Sequence, residues 1–175
     1  DIFQTITLSL IQGLTEFLPI SSSAHLVLLP KLFAWPEQGL AFDVVLHFGT
    51  LCAIIYYYRN SLIVMSQDFI SSIHTKKMEG EALLAWGVLL GTIPVGLAGI
   101  FFKDSIELNL RTIEVIAFST LFFGLLLGFS DWLNRFLDNS RELIRSSDIL
   151  IIGCFQVLAL IPGTSRSGIT ITAAL

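Results

Sequence analysis

The sequence predicts an all-α integral membrane protein, an inverted-repeat helical bundle with two re-entrant helix hairpins, and three observations carry that prediction. Of its 175 residues, 54% are hydrophobic and only 14% charged, against roughly 25% charged in a soluble domain; the mean hydropathy is +0.78. The apolar residues gather into five blocks, roughly 2–29, 41–58, 82–102, 112–130 and 149–175, on the scale of the about 20 residues a helix needs to cross the hydrocarbon. The first and last blocks are interrupted by the same kind of polar break, "QGLTEFLPISSSAH" at 12–25 and "PGTSRSGIT" at 162–170.

In the first block, Pro19 removes a backbone donor and pushes Leu18 away from helical angles. The serines that follow are good N-caps for a new helix. Segments 2–18 and 22–29 therefore read as two half-helices joined by a turn, the second too short to span a bilayer. Blocks two, three and four read as ordinary spans, with Pro94 and neighbouring glycines in the third kinking or thinning it. The connecting segments 59–81, 103–111 and 131–148 hold most of the charge and read as loops. In the fifth block Pro162 makes the same break, giving half-helices 149–161 and 165–175.

The two broken blocks also align with each other. Placing Gln12 on Gln156 and Pro19 on Pro162, with one gap before the proline, sets Ser22 on Ser165, Ser23 on Arg166 and His25 on Gly168. Residues 1–148 then form a first repeat: a hairpin over 1–30 and spans at about 41–58, 82–102 and 112–130. Residues 149–175 open a second. Interrupted helices at matching places in two halves point to a midplane binding site. Three spans between the hairpins make them enter from opposite faces. One side collects Lys31, Lys103 and Arg111; the other collects Arg59, Lys76, Lys77, Arg135, Arg141 and Arg145, which makes it the cytoplasmic side.

Each break starts a half-helix, whose first turn exposes unpaired N–H groups and carries partial positive charge. Two such ends facing one cavity make an anion site suited to phosphate. Arg166 adds a permanent charge with a donor fork that fits phosphate. Ser21, Ser23, Gly163, Thr164, Ser165, Ser167 and Thr170 surround these starts and are the candidate substrate contacts. Glu16 stands one helical turn from Gln12, so carboxylate and amide oxygens could jointly hold a divalent cation; alternatively Glu16 is the ion-pair partner of Arg166. His25 follows Ser22 by three residues, which sets a base near a hydroxyl, the arrangement that activates a nucleophile. Asp43 and His47, four apart at the start of the second block, are either interfacial or placed behind the site.

Several classes are excluded. No basic patch suggests nucleic acid, and the net charge of −4 falls mainly in connecting segments. Cys52 and Cys154 lie in apolar runs and read as small hydrophobes. The N-terminal stretch lacks the basic region and cleavage site of a signal peptide. The second motif lacks the lysine of a nucleotide P-loop. The acid phosphatase signature needs a histidine six residues beyond the arginine, where Thr172 stands.

The motif pair resembles the two signatures of the bacterial undecaprenyl-pyrophosphate phosphatase family associated with bacitracin resistance: [E/Q]xxxE followed by a Pro-x-Ser-Ser-x-x-His run, and PGxSRSxxT. Both occur here in order, and the resemblance extends over essentially the whole chain. It implies a multi-pass enzyme of the bacterial plasma (inner) membrane, opening to the outer, periplasmic face. Such an enzyme hydrolyses a C55 polyprenyl pyrophosphate to the monophosphate carrier lipid and inorganic phosphate, for cell-wall synthesis. Glu16, Ser22, His25, Ser165 and Arg166 match family site positions, with Gln12 and Thr170 in support; Gln12 stands where many relatives have glutamate. The resemblance implies a divalent cation, Mg²⁺ or Ca²⁺, on Glu16 and Gln12, and is compatible with a homodimer. The resemblance leaves the nucleophile as Ser22 or His25; on the reading taken here Ser22 attacks, His25 acts as base and later acid, and the second repeat's remaining three spans are absent after Leu175. A lipid-phosphate flippase or inverted-repeat transporter using the same anion site is the rival reading.

Overall fold

The computed structural model describes residues 1–36, 38–137 and 145–175, with the backbone alone at Glu107. Arg141, part of the charge count above, lies outside the described residues. The described chain is helical throughout: α1 Ile2–Phe17, α2 Ser22–Leu32, α3 Leu40–Tyr57, α4 Arg59–Thr75, α5 Ala82–Ser105, α6 Ile113–Leu137, α7 Ser146–Gln156 and α8 Arg166–Ala174. A π-helical turn, Ile106–Leu110, follows α5, and a 3₁₀ turn, Val157–Leu160, follows α7.

Among the described residues three helices are long and apolar enough to cross a membrane: α3, α5, and Ile113–Phe136 of α6. Their packing fits lipid as solvent. Only 6%, 11% and 11% of these stretches are buried inside the protein, and Phe101, Ile100 and Phe118 stand almost fully exposed. The buried side chains include as many polar ones, such as Gln4, Gln12, Thr15, Ser22 and Ser119, as apolar ones. A chain that is apolar outside and polar at its centre suits a bilayer, where exposed apolar side chains lose nothing and polar groups must pair internally.

The prolines act locally as the sequence implies. Leu18 is extended (φ −90°, ψ 153°) before Pro19, and Ile161 is extended (φ −76°, ψ 119°) before Pro162. The helices that follow are each capped by a serine: Ser21 accepts from Ala24 N at 3.3 Å, and Ser165 from Gly168 N at 3.2 Å. The caps correct the proposed alignment. The cap lies two residues after Pro19 but three after Pro162, so Ser21 corresponds to Ser165, Ser22 to Arg166 and Ser23 to Ser167. The hydroxyl pairs agree with that register, since Ser21–Ser23 and Ser165–Ser167 are both 3.0 Å apart.

Segment 59–81, read from sequence as a charged loop, mostly forms α4. This helix turns off α3 at Tyr58 and folds back on α5, where Trp86 Nε1 donates to Ser72 Oγ at 3.0 Å and its ring meets Phe69. Its mixed polarity hid it from a search for apolar runs. The most extensive helix packing is α5 against α7, where two glycines meet. A Cβ on Gly153 would lie 2.8 Å from Gly91 Cα and 2.9 Å from Gly91 O, so the backbones are in direct contact.

The two breaks lie against each other. α1 packs on α2, α7 on α8, and Ser167 Oγ donates to Leu18 O at 3.1 Å across 149 residues of chain. α6 holds the second break from behind: Ser119 Oγ donates to Pro162 O at 2.5 Å, and Thr120 Oγ1 to Gly163 O at 3.2 Å.

Candidate active site

A cavity of about 130 Å³ opens where the breaks meet, lined by Glu16, Ile20, Ser21, Ser22, Ser23, His47, Ala159, Thr164, Ser165 and Arg166. Larger cavities lie elsewhere. One of about 600 Å³ between α5 and α7 is apolar, and one of about 270 Å³ surrounds the Asp43–Arg111 pair. The smaller one collects the chemistry, because the starts of α2 and α8 both face it.

Ser22 and Arg166 each occupy the first helical position after a capping serine. The hydroxyl oxygens of Ser21 and Ser165 accept in the caps, whereas Ser22 and Arg166 line the cavity without a capping role. Ser22 Oγ donates to Glu16 Oε2 at 2.6 Å. The same carboxylate oxygen accepts from Gln12 Nε2 at 3.3 Å and faces His47 Nε2 at 3.3 Å. Gln12 is almost wholly buried and also donates to Thr50 Oγ1 at 3.2 Å, which ties α1 to α3.

Two sequence expectations change here. Glu16 is not paired with Arg166: its cationic-type neighbour is His47, and the Arg166 guanidinium has no hydrogen-bond or ion-pair partner among the described residues. His25 makes no hydrogen bond to the Ser22 hydroxyl and does not line the cavity; its Nδ1 lies 2.7 Å from Ser21 O, one turn back on its own helix. Three-residue spacing puts two side chains on one face of a helix, but here the earlier carbonyl takes the ring.

The remaining candidates divide. Ser23, Thr164 and Ser165 line the cavity with Ser21. Thr164 Oγ1 is buried and without a partner among the described residues, so a ligand oxygen in the cavity could satisfy it. Ser167 reaches across to α1, as described above. Thr170 turns its hydroxyl back to Arg166 O and Ser167 O, both at 3.0 Å. Gly163, with φ +97°, is pressed against Ser119 and Thr120 rather than open to the cavity.

Among the described residues no group of three or more His, Cys, Asp or Glu could cage a metal. The donors present fit a cation only in part. Glu16 Oε2 already receives Ser22 and Gln12, whereas Oε1 has no partner among the described residues. The Gln12 amide directs its nitrogen at the carboxylate, and turning it over would set oxygen against oxygen. Gln12 therefore fits as a donor that orients Glu16, not as a second ligand beside it.

Sequence reasoning did not assign Thr50, Ser119 or Thr120 to the site, and left His47 as either interfacial or placed behind it. His47 had a visible signal, a polar residue four after Asp43 inside an apolar block. Asp43 itself pairs with Arg111 at 3.1 Å. Ser119 and Thr120 had none, since a hydroxyl on a membrane span normally bonds its own helix.

Fold and cavity together define a class: a multi-pass helical membrane protein with a serine- and arginine-lined polar cavity where two interrupted helices meet. The chain belongs to the bacitracin resistance protein BacA family, whose model matches residues 5–175. It is 58% identical over 175 residues to an undecaprenyl-diphosphatase of Ruthia magnifica subsp. Calyptogena magnifica, and 57% identical over 175 to one of Vesicomyosocius okutanii. It is 52% identical over 177 residues to undecaprenyl-diphosphatase 2 of Stutzerimonas stutzeri. Each match covers all of this chain and 66% of the relative, so the chain spans slightly less than two thirds of their length.

Proposed function

We propose that this chain carries the catalytic cavity of a membrane phosphatase. It hydrolyses undecaprenyl pyrophosphate to undecaprenyl phosphate and inorganic phosphate, recycling the carrier lipid of cell-wall synthesis and so conferring bacitracin resistance. The names of its relatives support the substrate. The observation that carries the chemistry is the Ser22 hydroxyl, donated to Glu16 at 2.6 Å in a cavity that also holds the Arg166 guanidinium.

Phosphoryl transfer requires mostly positioning and neutralisation of charge. The N-terminal N–H groups of α2 and α8, with Arg166, receive the pyrophosphate oxygens, and Thr164 Oγ1 gains a partner. Ser22 Oγ attacks the terminal phosphorus while its proton passes to Glu16 Oε2. The bond to the bridging oxygen breaks, and the lipid monophosphate leaves. Water then attacks the phosphoserine, the proton held on Glu16 Oε2 returns to Ser22 Oγ, and phosphate is released. Glu16 thus takes the role of base that sequence spacing gave to His25. A divalent cation, Mg²⁺ or Ca²⁺, would be held by Glu16 Oε1 and the phosphate oxygens, and would supply further neutralisation of their charge.

Parity of the three spans, with the charge asymmetry of the connecting segments, supports a plasma-membrane orientation in which α1 and α2 enter from the outer face and α7 and α8 from the cytoplasm. The substrate head then enters from outside while its prenyl tail stays in lipid. A homodimer is compatible with this arrangement.

The test is phosphate release from a C15 or C55 prenyl pyrophosphate in detergent, using the complete reading frame, with Mg²⁺ or Ca²⁺ and then with chelator. Metal-dependent release that disappears in Ser22→Ala is the expected result. Movement of intact lipid pyrophosphate across vesicles without phosphate release would favour the transporter reading instead.

A further inference from the structure

Glu16 is asked to do one thing in the reaction above, to accept the Ser22 proton, and its own placement needs explaining. A carboxylate on the last turn of α1, one residue before the break, has several rotamers open to it. The nearest strong cation in the cavity is Arg166, and capture by that guanidinium would remove both the base and the anion receptor at once. The structure places something else on Glu16. His47, from the middle of α3, sets Nε2 3.3 Å from Glu16 Oε2 and Nδ1 2.7 Å from Asp43 O.

A backbone carbonyl and an ionised carboxylate both only accept, so both His47 ring nitrogens carry protons, Nδ1 donating to Asp43 O and Nε2 to Glu16 Oε2, and the ring is fixed in rotation by its own helix. Nε2 is thereby aimed at the carboxylate. The residue that supplies the carbonyl is itself anchored, since Asp43 Oδ2 meets Arg111 Nη2 at 3.1 Å. The line from Arg111 through Asp43 and His47 to Glu16 and Ser22 joins α3 to the first broken helix pair, and Gln12 with Thr50 makes a second tie between α1 and α3. The Arg166 guanidinium makes no hydrogen bond or ion pair among the described residues.

We propose that His47 is a positioning residue for the phosphatase reaction, which holds Glu16 on the Ser22 hydroxyl and away from Arg166 through a hydrogen bond from Nε2. The inference rests on the phosphatase reading and names a residue outside both signature motifs. His47 acts on the reaction through Glu16.

Two amides test it, because each reproduces one ring nitrogen. The Gln side-chain nitrogen reaches the place of Nε2, whereas that of Asn reaches only the place of Nδ1. His47→Gln is expected to retain kcat and KM within about 3-fold, and His47→Asn to lose about 10- to 100-fold in kcat, the usual cost of removing an outer-shell partner, with KM raised as Glu16 turns to Arg166. In Glu16→Gln, adding His47→Asn is expected to cost nothing further, since the partner through which it acts is already disabled. His47→Asn at wild-type kcat would overturn the proposal. So would a His47→Gln loss equal to that of Asn, or an additive double variant. Absence of phosphate release from the wild type would instead bring down the phosphatase reading, and this inference with it.

Discussion

Replacing Gly163 with alanine tests whether the second break is set by the clamp from α6. Gly163 has φ +97°, and an added Cβ would overlap the Ser119 hydroxyl and lie 2.7 Å from Ile116 O and 2.9 Å from Thr120 Oγ1. Ile116 is fully buried, so its carbonyl has no room to retreat. The backbone angle alone costs about 1–3 kcal/mol for a residue with a side chain. Ser119 must also yield the one proton it shares between Ile116 O at 3.1 Å and Pro162 O at 2.5 Å, at about 0.5–1.5 kcal/mol. Gly163→Ala is therefore expected to lose about 1.5–4.5 kcal/mol. If only 1.4 kcal/mol of that appears as misplacement of Arg166, turnover falls roughly tenfold. The assay is phosphate release beside thermal unfolding in detergent. Ser119→Ala alone should lose only about 1–3 kcal/mol. Added to Gly163→Ala, it should recover part of the loss, because it clears the hydroxyl but not the carbonyl. Gly163→Ala with wild-type melting and turnover would refute the reasoning.

Arg166→Lys should lower kcat/KM by roughly 10²–10³, close to Arg166→Ala, because a point charge cannot reproduce the guanidinium fork; steady-state phosphate release checks this. Gly153→Ala should destabilise the α5–α7 contact by about 1–3 kcal/mol, since even a methyl group forces two backbones apart, and should appear as a lower melting temperature. In a Cys52→Ala, Cys154→Ala background, a cysteine at Lys77 should be labelled by an impermeant reagent only after the membrane is opened. One at Lys103 should be labelled in intact cells.

Much of this protein follows from information that is local along the chain. The length and apolarity of the spans identify the solvent, and hence an all-helical fold, because an apolar run of about 20 residues in lipid satisfies its backbone as a helix, whereas a barrel strand is about half as long. Pro19 and Pro162 force Leu18 and Ile161 out of helical angles, and serine caps restart each helix within three residues, so the two breaks are readable within a few neighbours of each proline. The cavity's hydroxyls and its arginine come with them.

What the tertiary structure decided are the relations that no spacing encodes. The cationic-type partner of Glu16 is not the arginine of the second motif but His47 on α3, 31 residues away in the chain. The clamp on Gly163 comes from α6, 43 residues earlier. Even the correspondence of the two breaks is a matter of three dimensions: aligning the prolines matched Ser22 with Ser165, whereas the hydrogen bonds match the caps Ser21 and Ser165 and set Ser22 opposite Arg166. The physical reason is the same in each case. A proline or a cap acts through torsion angles of its own residue and the next, whereas the direction of a polar side chain inside a bilayer is chosen by whichever distant group leaves fewest hydrogen-bonding atoms unpaired.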